Sequence, residues 1–118
     1  MKKDFSPADR LLASRICEYI DAHLTDELTY AHLRKEFHLT QYQLSGKFPQ
    51  ITGITVTNYI IQKRLAQVVT KVQNGAGIED AAYTSGFRTY SHFYKEFCKS
   101  YGAAPKTYFR SHKKDRLL

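Results

Sequence analysis

Residues 86–110 read GFRTYSHFYKEFCKSYGAAPKTYFR, and this stretch decides the fold. Glycine and proline close it off, and between them aromatic, polar and basic residues are spaced for a helix. At 100° per residue, Phe93 and Phe97 fall on one face and Ser91 and Lys95 on the opposite one. Such a helix buries one side and offers the other to a partner.

The same pattern occurs a second time. TQYQLSGKFPQITGITVTNY at 40–59 lies over TYSHFYKEFCKSYGAAPKTY at 89–108 at a constant offset of 49. Thr40 and Thr89, Phe48 and Phe97, Gly53 and Gly102, and Tyr59 and Tyr108 are identical, while Leu44 and Phe93 match in kind. These positions are a helix cap, core residues, a turn glycine and a closing aromatic, which marks an internal repeat. Upstream the offset is 48, pairing Leu33 with Ala81 and Leu39 with Phe87, so the second unit carries one extra residue in its turn.

Ahead of the first copy, Ser6-Pro7-Ala8-Asp9 combines an N-cap serine, a first-turn proline and a carboxylate three residues after the cap. Leu12, Ile16, Tyr19, Ile20 and Leu24 then make one apolar stripe, until Thr25-Asp26-Glu27 breaks it. Thr29 caps a short helix carrying Leu33 and Phe37 inward. Thr40 and Gln43 then form a capping box. Two helices joined by so short a turn have the spacing of a helix-turn-helix, whose second helix enters the DNA major groove.

A long helix from about Thr55 to Gln73 is expected between the copies. It has Val56, Tyr59, Ile60, Leu65, Val68, Val69 and Val72 for packing, and it ends at Asn74-Gly75. Its span is about 28 Å at about 1.5 Å per residue, against roughly 34 Å between successive major-groove faces. The expected fold is all-α: a domain over 1–118 with a first lobe at 6–54, a linker helix at 55–74, a second lobe at 75–112 and a basic tail at 113–118.

The chain has 118 residues, 42% of them hydrophobic, which suits a modest core. Residues 1–59 hold seven Lys/Arg against seven Asp/Glu, and residues 60–118 hold eleven against four, so the net +7 sits entirely in the second half. A polyanion would dock there. No apolar run approaches the roughly 20 residues that cross a bilayer, and a cytoplasmic protein without a membrane partner is expected. Cys17 and Cys98 are expected to be buried thiols. The five histidines show no zinc spacing with them, so neither metal nor cofactor is expected. With no phosphate-cradling glycine loop followed by lysine and no nucleophile-base set, an enzyme is not expected either.

Gly86-Phe87, Thr89, Phe93, Phe97, Gly102, Pro105 and Tyr108 resemble the second helix-turn-helix signature of the AraC/XylS family of transcriptional regulators, and Arg64-Leu65 in the linker suits it too. The resemblance implies about seven helices in two DNA-binding lobes that activate or repress promoters. It also implies RNA polymerase as a partner and an N-terminal effector-sensing domain outside these residues. The first lobe departs from the pattern at three places, with Arg34 for a small alanine, His38 for the turn glycine and Gly46 for a basic residue. Arg34 must then snorkel or pair with an acid, His38 must adopt or avoid left-handed geometry, and Gly46 costs about 1 kcal/mol inside a helix. With Pro49 following, the first recognition helix is expected to be short or loosely formed.

Base contacts are expected from Gln41, Tyr42 and Ser45 in the first copy and from Ser91, His92, Tyr94 and Lys95 in the second. Gln41 suits adenine or a phosphate, and Lys95 suits guanine or a phosphate. Phosphate contacts are expected from Thr40, Lys47, Arg88, Thr89, Tyr90, Lys99 and Lys106, with Arg110, Lys113, Lys114 and Arg116 as further candidates. The function expected is sequence-specific binding of double-stranded promoter DNA by two helices in successive major grooves, activation being favoured. The alternative is a helical interaction module whose second lobe alone binds DNA while the first contacts polymerase or a partner domain.

Overall fold

A computed structural model describes residues 5–112; the basic tail at 113–118 lies outside them. Among the described residues there are seven α-helices, one π-helical turn and no strand, an all-α fold. Contacts divide the chain into two units, with the division between Ile60 and Ile61.

In the first unit, helix α1 (Pro7–Ala22) starts at Ser6, whose Oγ accepts the Asp9 N–H at 3.1 Å. Ala13, Ile16 and Ile20 are buried along its stripe, with Leu24 just past its end. Leu12 and Tyr19 pack only partly against that core. Helix α2 (Tyr30–Phe37) is capped by Thr29, which accepts from the His32 N–H at 3.1 Å. Leu33 is fully buried, and Phe37 sets its edge against the Tyr19 ring at 5.5 Å.

Beyond α2, His38 takes the left-handed conformation, with φ 55° and ψ 49°. Leu39 N–H then returns to Arg34 O at 2.9 Å, and Thr40 opens the next helix. The capping box is complete: Gln43 N–H donates to Thr40 Oγ1 at 3.1 Å, and Thr40 N–H donates to Gln43 Oε1 at 2.9 Å. The recognition helix begins as a π-helical turn over Tyr42–Lys47 and continues as α3 (Phe48–Thr52). It therefore persists through Gly46 and Pro49, where a short or loose helix was expected, and Pro49 supplies a physical reason. In a regular α-helix its ring would collide with the carbonyl four residues back, and one ladder bond would be missing. The wider turn, with Phe48 N–H bonding Gln43 O, relieves that crowding. Leu44 and Phe48 are buried beneath it.

Helix α4 (Val56–Gln73) starts at Thr55, whose Oγ1 accepts the Asn58 N–H at 3.1 Å. Val56 and Ile60 complete the first core, and the Tyr59 hydroxyl donates to Asp21 Oδ1 on α1 at 2.9 Å. Burial, and then that carboxylate, hold the Tyr59 phenol well above its ordinary range.

In the second unit, Ile61, Leu65, Val68 and Val72 of α4 meet Ala81 and Ala82 of α5 (Ile78–Thr84) and the buried Phe87. Ile61, absent from the expected core set, is buried here: neighbouring Ile60 packs in the first core and Ile61 in the second. The Lys71 ammonium donates to the Thr84 carbonyl at 2.8 Å and so caps the end of α5. Helix α6 (Tyr90–Tyr101) starts at Thr89, which accepts the His92 N–H at 3.1 Å. Phe93 and Phe97 are fully buried, and Phe97 touches Tyr101, Tyr108 and Phe109 at centroid distances of 4.5, 5.4 and 5.6 Å. Tyr108 and Phe109 belong to α7 (Pro105–Ser111). Cys17 and Cys98, expected to be buried, are half-buried thiols outside any disulfide.

The repeat is thus realised as geometry. Phe87 N–H returns to Ala82 O at 3.1 Å as Leu39 does to Arg34, and Gly86 stands at φ 111° where His38 stands at 55°. Gly53 and Gly102 close the two recognition helices at φ 82° and 73°.

Two stability predictions follow from the turns and caps. His38→Gly relieves a left-handed cost of about 1–2 kcal/mol and takes back about 0.5–1 kcal/mol as added freedom of the unfolded chain. The first unit is expected to unfold at a higher urea concentration than in the parent, and a lower midpoint would contradict the strain. Thr89→Ala removes the α6 cap at a cost of about 1 kcal/mol, and Thr89→Ser restores it, both readable as shifts in thermal unfolding.

Candidate nucleic-acid interface

Burial of Leu44 and Phe48 turns Tyr42 outward, where it is 60% exposed. Its ring lies along the helix over Gly46, and a Cβ at residue 46 would stand 3.0 Å from Tyr42 Cδ1. Gly46 is therefore the residue that lets this aromatic lie flat. Gln41 and Ser45 are exposed beside it, whereas Gln43 is turned back into the capping box. Arg34 departs from both outcomes expected of it: exposed on α2, its Nη1 donates to Gln41 Oε1 at 3.4 Å. The other end of the Gln41 amide donates to Ser45 Oγ at 3.2 Å, and the Ser45 hydroxyl donates to the Gln41 carbonyl at 2.8 Å.

Lys47 is drawn to the side of this helix by Asp9 on α1, with Nζ to Oδ1 at 3.0 Å. The ammonium, chiefly by hydrogen bonding, holds the Asp9 carboxyl below its ordinary range. A phosphate approaching Lys47 has to compete with that carboxylate. Thr40 carries the capping box, so its hydroxyl sits at the helix start.

On the second recognition helix, Ser91, His92, Tyr94 and Lys95 are all exposed. The His92 ring sets its edge against Phe87 at 5.7 Å, and its Nε2 lies 3.8 Å from the Glu96 carboxylate one turn on. Tyr94 is 44% exposed and tilts against Tyr90 at 6.3 Å. Tyr90 is half-buried against Phe93, and burial raises its phenol pKa, so its hydroxyl stays a neutral donor. Arg88 is the extra residue of the second turn and is exposed next to the Thr89 cap. Arg64 on α4 is half-buried; burial first, and then the like charge of Arg88, lower its pKa. The two guanidiniums are thus near enough to disfavour each other's charge. Sequence reasoning took Arg64 only as a family mark, because the proximity of residues 64 and 88 exists only in the folded unit. Lys99 and Lys106 are exposed further along α6 and on α7.

The second helix thus presents a cation and three polar or aromatic groups. The first presents an aromatic and a hydrogen-bonded amide, with its one lysine already paired. Both faces display groups able to donate and accept at base edges and phosphates. Among the described residues no helix is long and apolar enough to cross a membrane.

Comparison with known proteins agrees with this geometry. A family profile described as a helix-turn-helix domain matches residues 33–111. The probable transcriptional regulator LumQ of Photobacterium leiognathi is 31% identical over 108 residues, covering 89% of this chain and 43% of that protein. The bifunctional transcriptional activator/DNA repair enzyme AdaA of Bacillus subtilis is 34% identical over 91 residues, 76% of this chain and 43% of its own. The melibiose operon regulatory protein of Escherichia coli is 27% identical over 108 residues, 91% of this chain and 36% of its own. The chain spans less than half the length of each of these relatives. No solved structure matches it with significance. With its repeated capped helices and this profile match over most of its length, the chain belongs to the AraC/XylS family of DNA-binding transcriptional regulators.

Proposed function

We propose that the chain binds double-stranded promoter DNA sequence-specifically through both recognition helices, each in a major groove, and changes transcription at that promoter. The observation that carries this reading is the doubling of one device: a left-handed turn, a threonine cap and an outward polar face occur in both units. A helix-turn-helix dimer meets two half-sites about 34 Å apart, and a tandem pair within one chain serves the same purpose.

In this reading Lys95 takes the O6/N7 edge of a guanine, Ser91 and His92 contact adjacent base edges, and Tyr94 covers a thymine methyl or bonds a phosphate. Tyr42, Gln41 and Ser45 take the corresponding positions in the other groove. Arg88, Tyr90, the capping threonines, Lys99 and Lys106 hold the backbone and set register without reading sequence. If the DNA has to bend for both helices to seat, the bend costs about 1–6 kcal/mol. The chain acts by binding and not by catalysis, in the cytoplasm of a bacterium. Activation through polymerase is favoured because relatives such as AdaA carry the name of activators. An effector-sensing segment fits the length of those relatives that this chain does not cover.

One observation favours a second reading in which the second unit anchors the protein and the first contacts DNA weakly or meets a protein partner. Residues 1–59 are neutral, and Lys47 is already paired with Asp9.

Selection of duplexes from a random pool at two salt concentrations, with sequencing of the bound fraction, separates the two readings. Two enriched blocks about one helical turn apart, bound with steep salt dependence, are the expected result. One block supports the anchored reading, and absence of salt-sensitive binding contradicts both. Within that assay, Lys95→Ala is expected to relax preference at one base pair by about 1–3 kcal/mol. Arg88→Ala is expected to weaken all sequences alike and reduce the logarithmic salt slope by about 0.9. A change of base preference in Arg88→Ala would show that the roles are wrongly divided.

A further inference from the structure

We infer that Arg34, which lies on α2 and outside the recognition helix, is a specificity-determining positioning residue that fixes Gln41 as a reader of adenine. The inference rests on the reading that the first recognition helix enters a major groove.

A glutamine on an exposed helix start can present its amide either way round, and the two orientations favour different bases. Here both neighbours dictate the same one. Arg34 has only donors, and its Nη1 lies 3.4 Å from Gln41 Oε1, so oxygen must face it. Ser45 has spent its single hydroxyl hydrogen on the Gln41 main-chain carbonyl at 2.8 Å, so only a lone pair is left toward the amide. That lone pair meets Gln41 Nε2 at 3.2 Å. A flipped amide would set NH2 against the guanidinium and oxygen against the serine lone pair, two repulsions in place of two bonds.

The locked amide is not exhausted. An amide oxygen has two lone pairs and an amide nitrogen two hydrogens, so one acceptor and one donor remain. This is the pair that meets adenine in the major groove, with oxygen accepting from N6 and nitrogen donating to N7. Holding the side chain ready also removes an ordering cost that an unbraced glutamine would meet on binding. The same bonds leave Ser45 no hydrogen to donate to a base, so its part in the groove is that of an acceptor and a brace.

Random-duplex selection with the whole chain tests this, using the parent, Gln41→Ala, Arg34→Ala, Arg34→Lys and the Arg34→Ala/Gln41→Ala double variant, each checked for an unchanged thermal transition. The parent is expected to enrich adenine at one base pair, and Gln41→Ala to abolish that preference. Arg34→Ala should reduce it by about threefold to tenfold at that pair alone, with other positions and the salt slope unchanged. Arg34→Lys, which keeps a donor, should recover part of it, and the double variant should match Gln41→Ala. Equal weakening of every sequence by Arg34→Ala, with a shallower salt slope, would make Arg34 a phosphate contact and overturn the inference. So would an adenine preference indifferent to Arg34, or a base profile indifferent to Gln41. Failure of the parent chain to enrich any sequence would overturn the DNA reading itself, and that outcome is visible without any variant.

Discussion

Each recognition helix owes its direction to a single left-handed residue. His38 and Gly86 carry positive φ just after a short helix, and in both units the next residue returns its N–H to a carbonyl of that helix, Leu39 to Arg34 and Phe87 to Ala82. The chain leaves at a sharp angle, and a threonine immediately downstream captures the first free N–H groups of the new helix. Were the backbone unable to enter this region, the second helix would run on from the first and present no separate face. The two units meet the requirement differently. Glycine enters without steric cost, whereas histidine accepts a modest one.

Downstream of the turn, packing divides each helix into an anchored side and an offered side. Leu44 and Phe48 in one unit, and Phe93 and Phe97 in the other, are buried almost completely, which fixes the rotation of the helix about its axis. The exposed set is then a geometric remainder. The second unit braces its set with aromatic contacts from Phe87, Phe93 and Tyr90. The first braces its set with side-chain hydrogen bonds around Gln41 and with the Asp9–Lys47 pair. Two solutions to one support problem therefore stand on a common frame.

Much of that frame was legible in the sequence because its signals are local. Ser6, Thr29, Thr40, Thr55 and Thr89 each lie one helical turn ahead of the N–H they accept, a spacing visible in the chain. The apolar steps gave the large residues of the core apart from Ile61, while the small Ala13 and Ala82 went unread. What stayed hidden depends on proximity across elements. The approach of Arg64 and Arg88, the reach of Arg34 to Gln41 and the claim of Asp9 on Lys47 join residues that are distant in sequence. The π-helical turn was hidden for another reason. Gly46 and Pro49 each signalled disruption, yet the backbone absorbed both by widening one turn instead of ending the helix.

The contact between Tyr42 and Gly46 couples two positions that would otherwise vary separately. A side chain at residue 46 and the ring of residue 42 claim one volume, so a longer residue at 46 displaces the ring, and a smaller residue at 42 exposes bare backbone. The shape of this exposed face is thus set jointly by residues 42 and 46, and neither position defines it alone.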